Sequence, residues 1–157
     1  MKKAIYAGSF DPITLGHVDI IRRALVLFDE VHIAILHNPL KASLFSLDER
    51  IDLVRSAVDD GRVKVEGFRG LLADFASQKQ IFTIIRGLRA VSDFDYEIQM
   101  AHTNRLLQPQ LDTVFLMTDV SFSYLSSSLV KQVASFGGNI SRFVPPVVGQ
   151  ALQEKYR

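Results

Sequence analysis

The chain has 157 residues, 48% hydrophobic and 22% charged, proportions ordinary for a globular protein that buries roughly 70% of its unfolded surface. A formal net charge of +1 supplies no field to gather a nucleic-acid backbone or an anionic membrane surface. The absence of cysteine excludes a disulfide framework, a thiolate metal site and a cysteine nucleophile together.

From the N-terminus, the apolar run behind Met1-Lys2-Lys3 is too short for a secretory signal. No window approaches the ~18 apolar residues of a membrane helix, Asp29 and Glu30 interrupting the best candidate. A cytoplasmic protein with one domain over residues 1–157 is the expectation. Five β-branched runs, Lys3–Ala7, Val31–Leu36, Val63–Gly67, Phe82–Arg86 and Thr113–Met117, predict strands, several continuously apolar as in a parallel sheet buried on both faces. Helical periodicity fills Val18–Phe28, Leu47–Val58, Leu71–Lys79 and Asp93–Leu107 between them, with Ser127–Phe136 and Val147–Lys155 after the last strand. Ser46 and Glu49 have capping-box spacing, Gly137-Gly138 closes the fifth helix, and Pro145-Pro146 opens the last. The alternation predicts an α/β fold: a doubly wound, Rossmann-like five-stranded parallel sheet with helices on both faces and two C-terminal helices.

Ligands of open α/β sheets bind beyond the carboxyl ends of the strands. There this sequence places Gly8-Ser9-Phe10-Asp11-Pro12 running to Thr14-Leu15-Gly16-His17, then Asn38-Pro39-Leu40-Lys41, Phe68-Arg69-Gly70, Arg86-Gly87-Leu88-Arg89, and Ser121 to Ser128. Hydroxyls, glycines and cations thus gather on one rim. His17 at a helix start could donate to a phosphoryl oxygen as a neutral or cationic imidazole, or simply cap and pack. Arg86 and Arg89 flank Gly87 and can grip two phosphates; the alternative for Arg86 is a structural carboxylate such as Asp93, Asp95 or Glu97. Lys41 gains interest from its place on the rim. One of Ser126 and Ser127 is expected as an N-cap, while the run to Ser128 also suits a polyphosphate. Phe122 and Tyr124 could wall an adenine ring. His102 reads as structural, and spacing alone leaves Glu97 open. His32 and His37 share no metal geometry, so no protein metal site is expected, and Mg²⁺ would come with nucleotide phosphates.

The first loop, with Thr14-x-Gly16-His17, resembles the signature of nucleotidyltransferases related to class I aminoacyl-tRNA synthetases. Four further segments in register, Asn38-Pro39-x-Lys41, Ile85-Arg86-Gly87-Leu88-Arg89-Ala90, Asp93-Phe94-x-Tyr96-Glu97 and Ser126 through Lys131, are similar to the phosphopantetheine adenylyltransferases. The departures are Ala42, where many relatives carry a second lysine, and Thr118-Asp119-Val120-Ser121-Phe122, which lacks the usual proline. The resemblance implies adenylyl transfer from ATP to 4′-phosphopantetheine, giving dephospho-coenzyme A and pyrophosphate, with Mg²⁺ and a homohexamer. It implies that Ser9, Lys41, Leu72 and Arg86 hold phosphopantetheine. Ser9, Phe10, His17, Gly87, Leu88, Arg89, Glu97, Phe122, Ser123, Tyr124, Leu125, Ser126, Ser127 and Ser128 would hold ATP. His17 would stabilise the transition state, with Lys41 and Arg89 as further catalytic groups. Two rivals stay open: a related transferase acting on nicotinamide mononucleotide or glycerol phosphate, and a module that senses ATP without turning it over.

Overall fold

Five β-branched segments form strands in the computed structural model, which describes residues 1–157 apart from the side chains of residues 91 and 92. They are β1 Lys3–Gly8, β2 Glu30–Leu36, β3 Val63–Phe68, β4 Thr83–Leu88 and β5 Asp112–Met117. All pair in parallel, in the order β3-β2-β1-β4-β5. Central β1 is bonded on both edges and covered on both faces, so Ala4, Ile5, Tyr6 and Ala7 are all buried. That explains why its apolar run does not alternate.

The helices are α1 Leu15–Leu27, α2 Leu47–Ala57, α3 Leu72–Lys79, α4 Val91–Leu107, α5 Ser127–Ser135 and α6 Pro146–Lys155. The chain moves outward from β1 to β2 and β3, then returns to the other edge of β1 for β4 and β5. Right-handed crossovers therefore put α1 and α2 on one face and α3 and α4 on the other. Tyr6, Ile33 and Ile85 pack with Val54, Val130 and Leu152 on the first face, which α5 and α6 also cover. Ile5, Ala34 and Ile84 pack with Phe75 and Ala76 of α3 on the second. The reversal between β1 and β4 opens a crevice at their carboxyl ends.

Most element ends lie within a residue or two of the sequence reading; two shifts and one added turn bear on the site. β4 was expected over Phe82–Arg86, but it runs to Leu88 because Arg86, Gly87 and Leu88 pair with Phe115, Leu116 and Met117 of β5. A glycine and an arginine read as loop residues until the neighbouring ladder is known. α1 starts at Leu15 rather than Val18, capped by Thr14, so His17 lies inside its first turn. A 3₁₀ turn at Val120–Phe122 stands where a loop was expected, with the Asp119 carboxylate accepting from the Ser121 amide.

Candidate active site

The loop after β1 is held by its own buried groups. Phe10 adopts a left-handed backbone (φ +46°), which costs on the order of 1–2 kcal/mol for a residue with a Cβ. The bend turns its ring into the core, 3% exposed, edge-on to Tyr6 and His17 at centroid distances of 5.3 and 4.9 Å. Phe10 can therefore meet a ligand only through its main chain. Asp11 is buried as well; its carboxylate accepts from the Leu44 and Phe45 amides and from Lys131 Nζ, each at 2.9 Å. Burial works to raise its pKa, but those donors outweigh it and hold the carboxyl below its usual range.

His17 has its protonation written into the turn. The Thr14 amide donates to His17 Nδ1 at 3.0 Å, and the His17 amide donates to Thr14 Oγ1 at 3.3 Å. A ring nitrogen that accepts from an amide carries no proton, so the proton of the neutral ring is on Nε2. Burial, then the charges of Arg89 and Arg86, lower the pKa from 6.5 to about 4. The imidazole is thus a neutral Nε2–H donor, which decides between the two forms the sequence left open.

From within β4 the Arg86 side chain finds a structural carboxylate. Its Nε and Nη2 donate to Glu97 Oε2 and Oε1 at 2.8 and 2.7 Å, and Nη1 donates to the Ala7 carbonyl at 2.6 Å. Burial opposes the Arg86 charge, and the Glu97 fork more than offsets it, raising the pKa. Of five guanidinium N–H groups three are engaged, so two remain for a ligand. Arg89 Nη1 donates to the Leu125 carbonyl at 2.7 Å, and its Nε lies 3.4 Å from Asp93 Oδ2. Ser126 caps α5 by accepting from the Leu129 amide at 3.1 Å, and Ser127 Oγ donates to the Pro12 carbonyl at 2.7 Å.

These residues surround two neighbouring cavities. The first, about 420 Å³, is lined by His17, Arg86, Gly87, Arg89 and Glu97. Phe122, Leu125, Ser126 and Ser127 close its other side. The second, about 340 Å³, is lined by Ser9, Lys41, Ser127 and Ser128. Ser127 lines both, so the two meet at the start of α5. Lys41 and Arg86 fall in different cavities. Leu72, Leu88, Ser123 and Tyr124 line neither: Leu88 is 8% exposed in the core, Leu72 packs beside the α3 cluster, Ser123 Oγ donates to the Val120 carbonyl, and the exposed Tyr124 sets its ring edge-on to Phe143. Among the described residues, no group of three or more His, Cys, Asp or Glu side chains is placed to hold a metal ion.

Residues 5–133 match the cytidylyltransferase-like family model. The chain is 53% identical over 154 residues to the phosphopantetheine adenylyltransferase of Syntrophotalea carbinolica, covering 98% of this chain and 93% of that protein. It is 52% identical to the phosphopantetheine adenylyltransferase of Streptomyces coelicolor, covering 100% and 99%. The chain belongs to the phosphopantetheine adenylyltransferase family. A solved structure from Vibrio parahaemolyticus, provisionally assigned as a nicotinate-nucleotide adenylyltransferase, shares the fold at TM-score 0.74 and 20% identity, covering 100% of this chain and 96% of that one.

Among the lining residues to which the sequence assigns no site role in this adenylyltransferase, three carry a polar or charged group of note. Tyr6 lines the first cavity but read only as strand core; burial raises its pKa, so it stays a neutral phenol. Lys131, within the motif that begins at Ser126, lines the second cavity and donates to Asp11. Arg50 is not singled out by the sequence motifs, although it shares the apolar stripe of Leu53 and Val54 at i+3 and i+4, where a charge is out of place. For His17 the expected outcome is plain. By ¹⁵N NMR of the free protein the ring keeps its Nε2–H tautomer from about pH 8 to about pH 5 and titrates near 4 instead of 6.5. Its folded pKa lies below the unfolded one, so the stability it contributes is complete above 6.5 and is lost as pH falls toward 4. Titration near 6.5 would contradict the assignment.

Proposed function

We propose that the chain transfers the adenylyl group of ATP to 4′-phosphopantetheine, giving dephospho-coenzyme A and pyrophosphate, as its relatives' name describes. One observation carries the chemistry: the neutral Nε2–H of His17 sits with Arg86 and Arg89 in a cavity that meets a second, lysine-bearing one at Ser127. Full-length identity near one half to the named relatives supports the acceptor.

A phosphate monoester is already nucleophilic near neutral pH, so the reaction needs no general base. Placement and charge stabilisation do the work. Lys41 and Ser9 hold the acceptor phosphate, assisted by the two N–H groups that Arg86 keeps beyond Glu97 and the Ala7 carbonyl. His17 donates to the α-phosphate as charge builds there. Arg89, with Ser127 and Ser128, takes the β- and γ-phosphates. Gly87 and the main chain of Phe10 let the nucleotide approach closely, and Phe122 and Leu125 offer apolar surface to the base. Leu72, outside both linings, would meet the pantetheine arm and not the phosphate.

The carboxylates at the site are already engaged: Asp11 by Lys131 and two amides, Asp93 by Arg89, Glu97 by Arg86. Those partners fit Mg²⁺ that arrives on the nucleotide phosphates better than a protein cage. The ion would offset phosphate charge, and no step above is routed through it.

The same reading makes residues 1–157 one nucleotidyltransferase unit acting in the cytoplasm as a homohexamer. Exposed Tyr96, Met100, Leu106 and Leu107 of α4 and Met117 of β5 support a contact between copies. No helix among the described residues is long and apolar enough to cross a membrane.

Pyrophosphate release and product mass should be followed with ATP, Mg²⁺ and, in parallel, 4′-phosphopantetheine, nicotinamide mononucleotide or glycerol phosphate. Dephospho-coenzyme A is expected with the first acceptor alone; activity confined to another acceptor, or ATP binding without turnover, would overturn the reading. His17→Ala should lower kcat by ~10²–10³ while ATP binding is kept. Lost ATP binding with unchanged turnover at saturation would remove His17 from its role.

A further inference from the structure

We propose that Arg50 is a phosphate-binding residue of the second cavity, its Nη2 edge donating to a bound phosphate while Nη1 fixes the strand ends that build the cavity. This rests on the adenylyl-transfer reading above.

Arg50 lies in α2 and is 2% exposed. Its Nη1 donates to the Ser9 carbonyl at 2.8 Å and the Leu36 carbonyl at 3.1 Å, and Nε reaches the Ser46 carbonyl at 3.4 Å. No carboxylate among the described residues pairs with it, unlike Arg86, Arg89 or Lys131. A buried guanidinium faced only by carbonyls is under-compensated, because dipoles replace part of its hydration but supply no counter-charge. Nη2 has no protein partner among the described residues. Nor is it sealed: among the described residues, His32 Nδ1 is the one buried side-chain polar atom without a bond. Arg50 lines the second cavity, and with Nη1 and Nε committed, Nη2 is the donor left for its contents.

The charge of that cavity asks for an anion. Lys41, Arg50 and Lys131 line it against one carboxylate, Asp11; three cations less one anion leave two positive charges. Asp11 is spent on Lys131 and the Leu44 and Phe45 amides, so it does not compensate Arg50. The hydroxyls of Ser9, Ser127 and Ser128 complete a lining suited to phosphate oxygens. Through Nη1 the same guanidinium holds the Ser9 carbonyl beyond β1 and the Leu36 carbonyl at the end of β2, so an anion on Nη2 also braces the rim.

The phosphate could be the acceptor's or belong to the leaving pyrophosphate, and calorimetry separates them. Wild type, Arg50→Gln and Arg50→Lys are titrated with inorganic pyrophosphate, with 4′-phosphopantetheine and with adenosine. The Gln variant is expected to weaken at least one anion roughly ten- to hundred-fold and to leave adenosine unchanged; loss for pyrophosphate places the nucleotide's tail there, loss for 4′-phosphopantetheine the acceptor. A folded Gln variant that binds both anions like wild type overturns the proposal and reduces Arg50 to a clamp on carbonyls. Should the Gln variant not fold, Arg50→Lys decides, since one ammonium cannot serve the carbonyls and the anion together: weakened anion binding supports the proposal and unchanged binding overturns it. Wild type that binds neither anion and makes no dephospho-coenzyme A would remove the adenylyl-transfer reading as well, whereas an active wild type with an indifferent variant would remove Arg50 alone.

Discussion

The buried carboxylate of Asp11 joins three of the segments from which the second cavity is made. It lies in the loop after β1, bonds the amides of Leu44 and Phe45 in the loop that follows β2, and receives Lys131 from α5. At 5% exposure a lone carboxylate would be costly, but each charge-assisted donor returns on the order of 1.5–3 kcal/mol. The loop carrying Ser9, the loop carrying Lys41 and the helix carrying Ser127 and Ser128 are thereby set relative to one another. Ser127 adds a second tie by donating to the Pro12 carbonyl.

The first cavity rests on a different economy. Arg86 and Glu97 compensate each other across β4 and α4, so a cation stands at the switch point before any substrate arrives. Between Arg86 and Arg89 the His17 ring is kept neutral, and the Thr14 amide occupies Nδ1. Neither ring nitrogen then offers a free lone pair: one accepts an amide proton and the other carries its own. His17 is built as a donor and not as a nucleophile, and the donors around it are oriented in advance, as charge stabilisation in a partly desolvated site requires.

Much of this was legible in the sequence because local rules and global topology agree. Continuous apolar runs such as Ala4–Ala7 report a strand buried on both faces, and the turn chemistry after each run reports the ligand rim. The clustering of His17, Arg86, Arg89 and Ser127 followed from that placement alone. What stayed hidden depends on partners distant in sequence. The end of β4 is fixed by Phe115 to Met117 of β5, which no window around Arg86 contains. The choice of Glu97 over Asp93 or Asp95 as the partner of Arg86 depends on how α4 lies over β4. Phe10 and Leu88 look available on the rim, yet their side chains are buried. Arg50 is the instructive miss, since a charge at a core position of an amphipathic helix signalled a buried role that composition alone could not name.

If this site works by placement and charge stabilisation, with His17 donating and no side chain attacking, adenylyl transfer is a single displacement. Stereochemistry at the α-phosphorus tests that most directly. One diastereomer of ATP with sulfur at the α-phosphate is turned over with 4′-phosphopantetheine, and the configuration of the dephospho-coenzyme A thiophosphate is read by ³¹P NMR. Inversion is expected from direct in-line attack by the acceptor phosphate. Retention would mean two displacements through a covalent adenylyl-protein, which would contradict the donor role of His17 and the mechanism built on it.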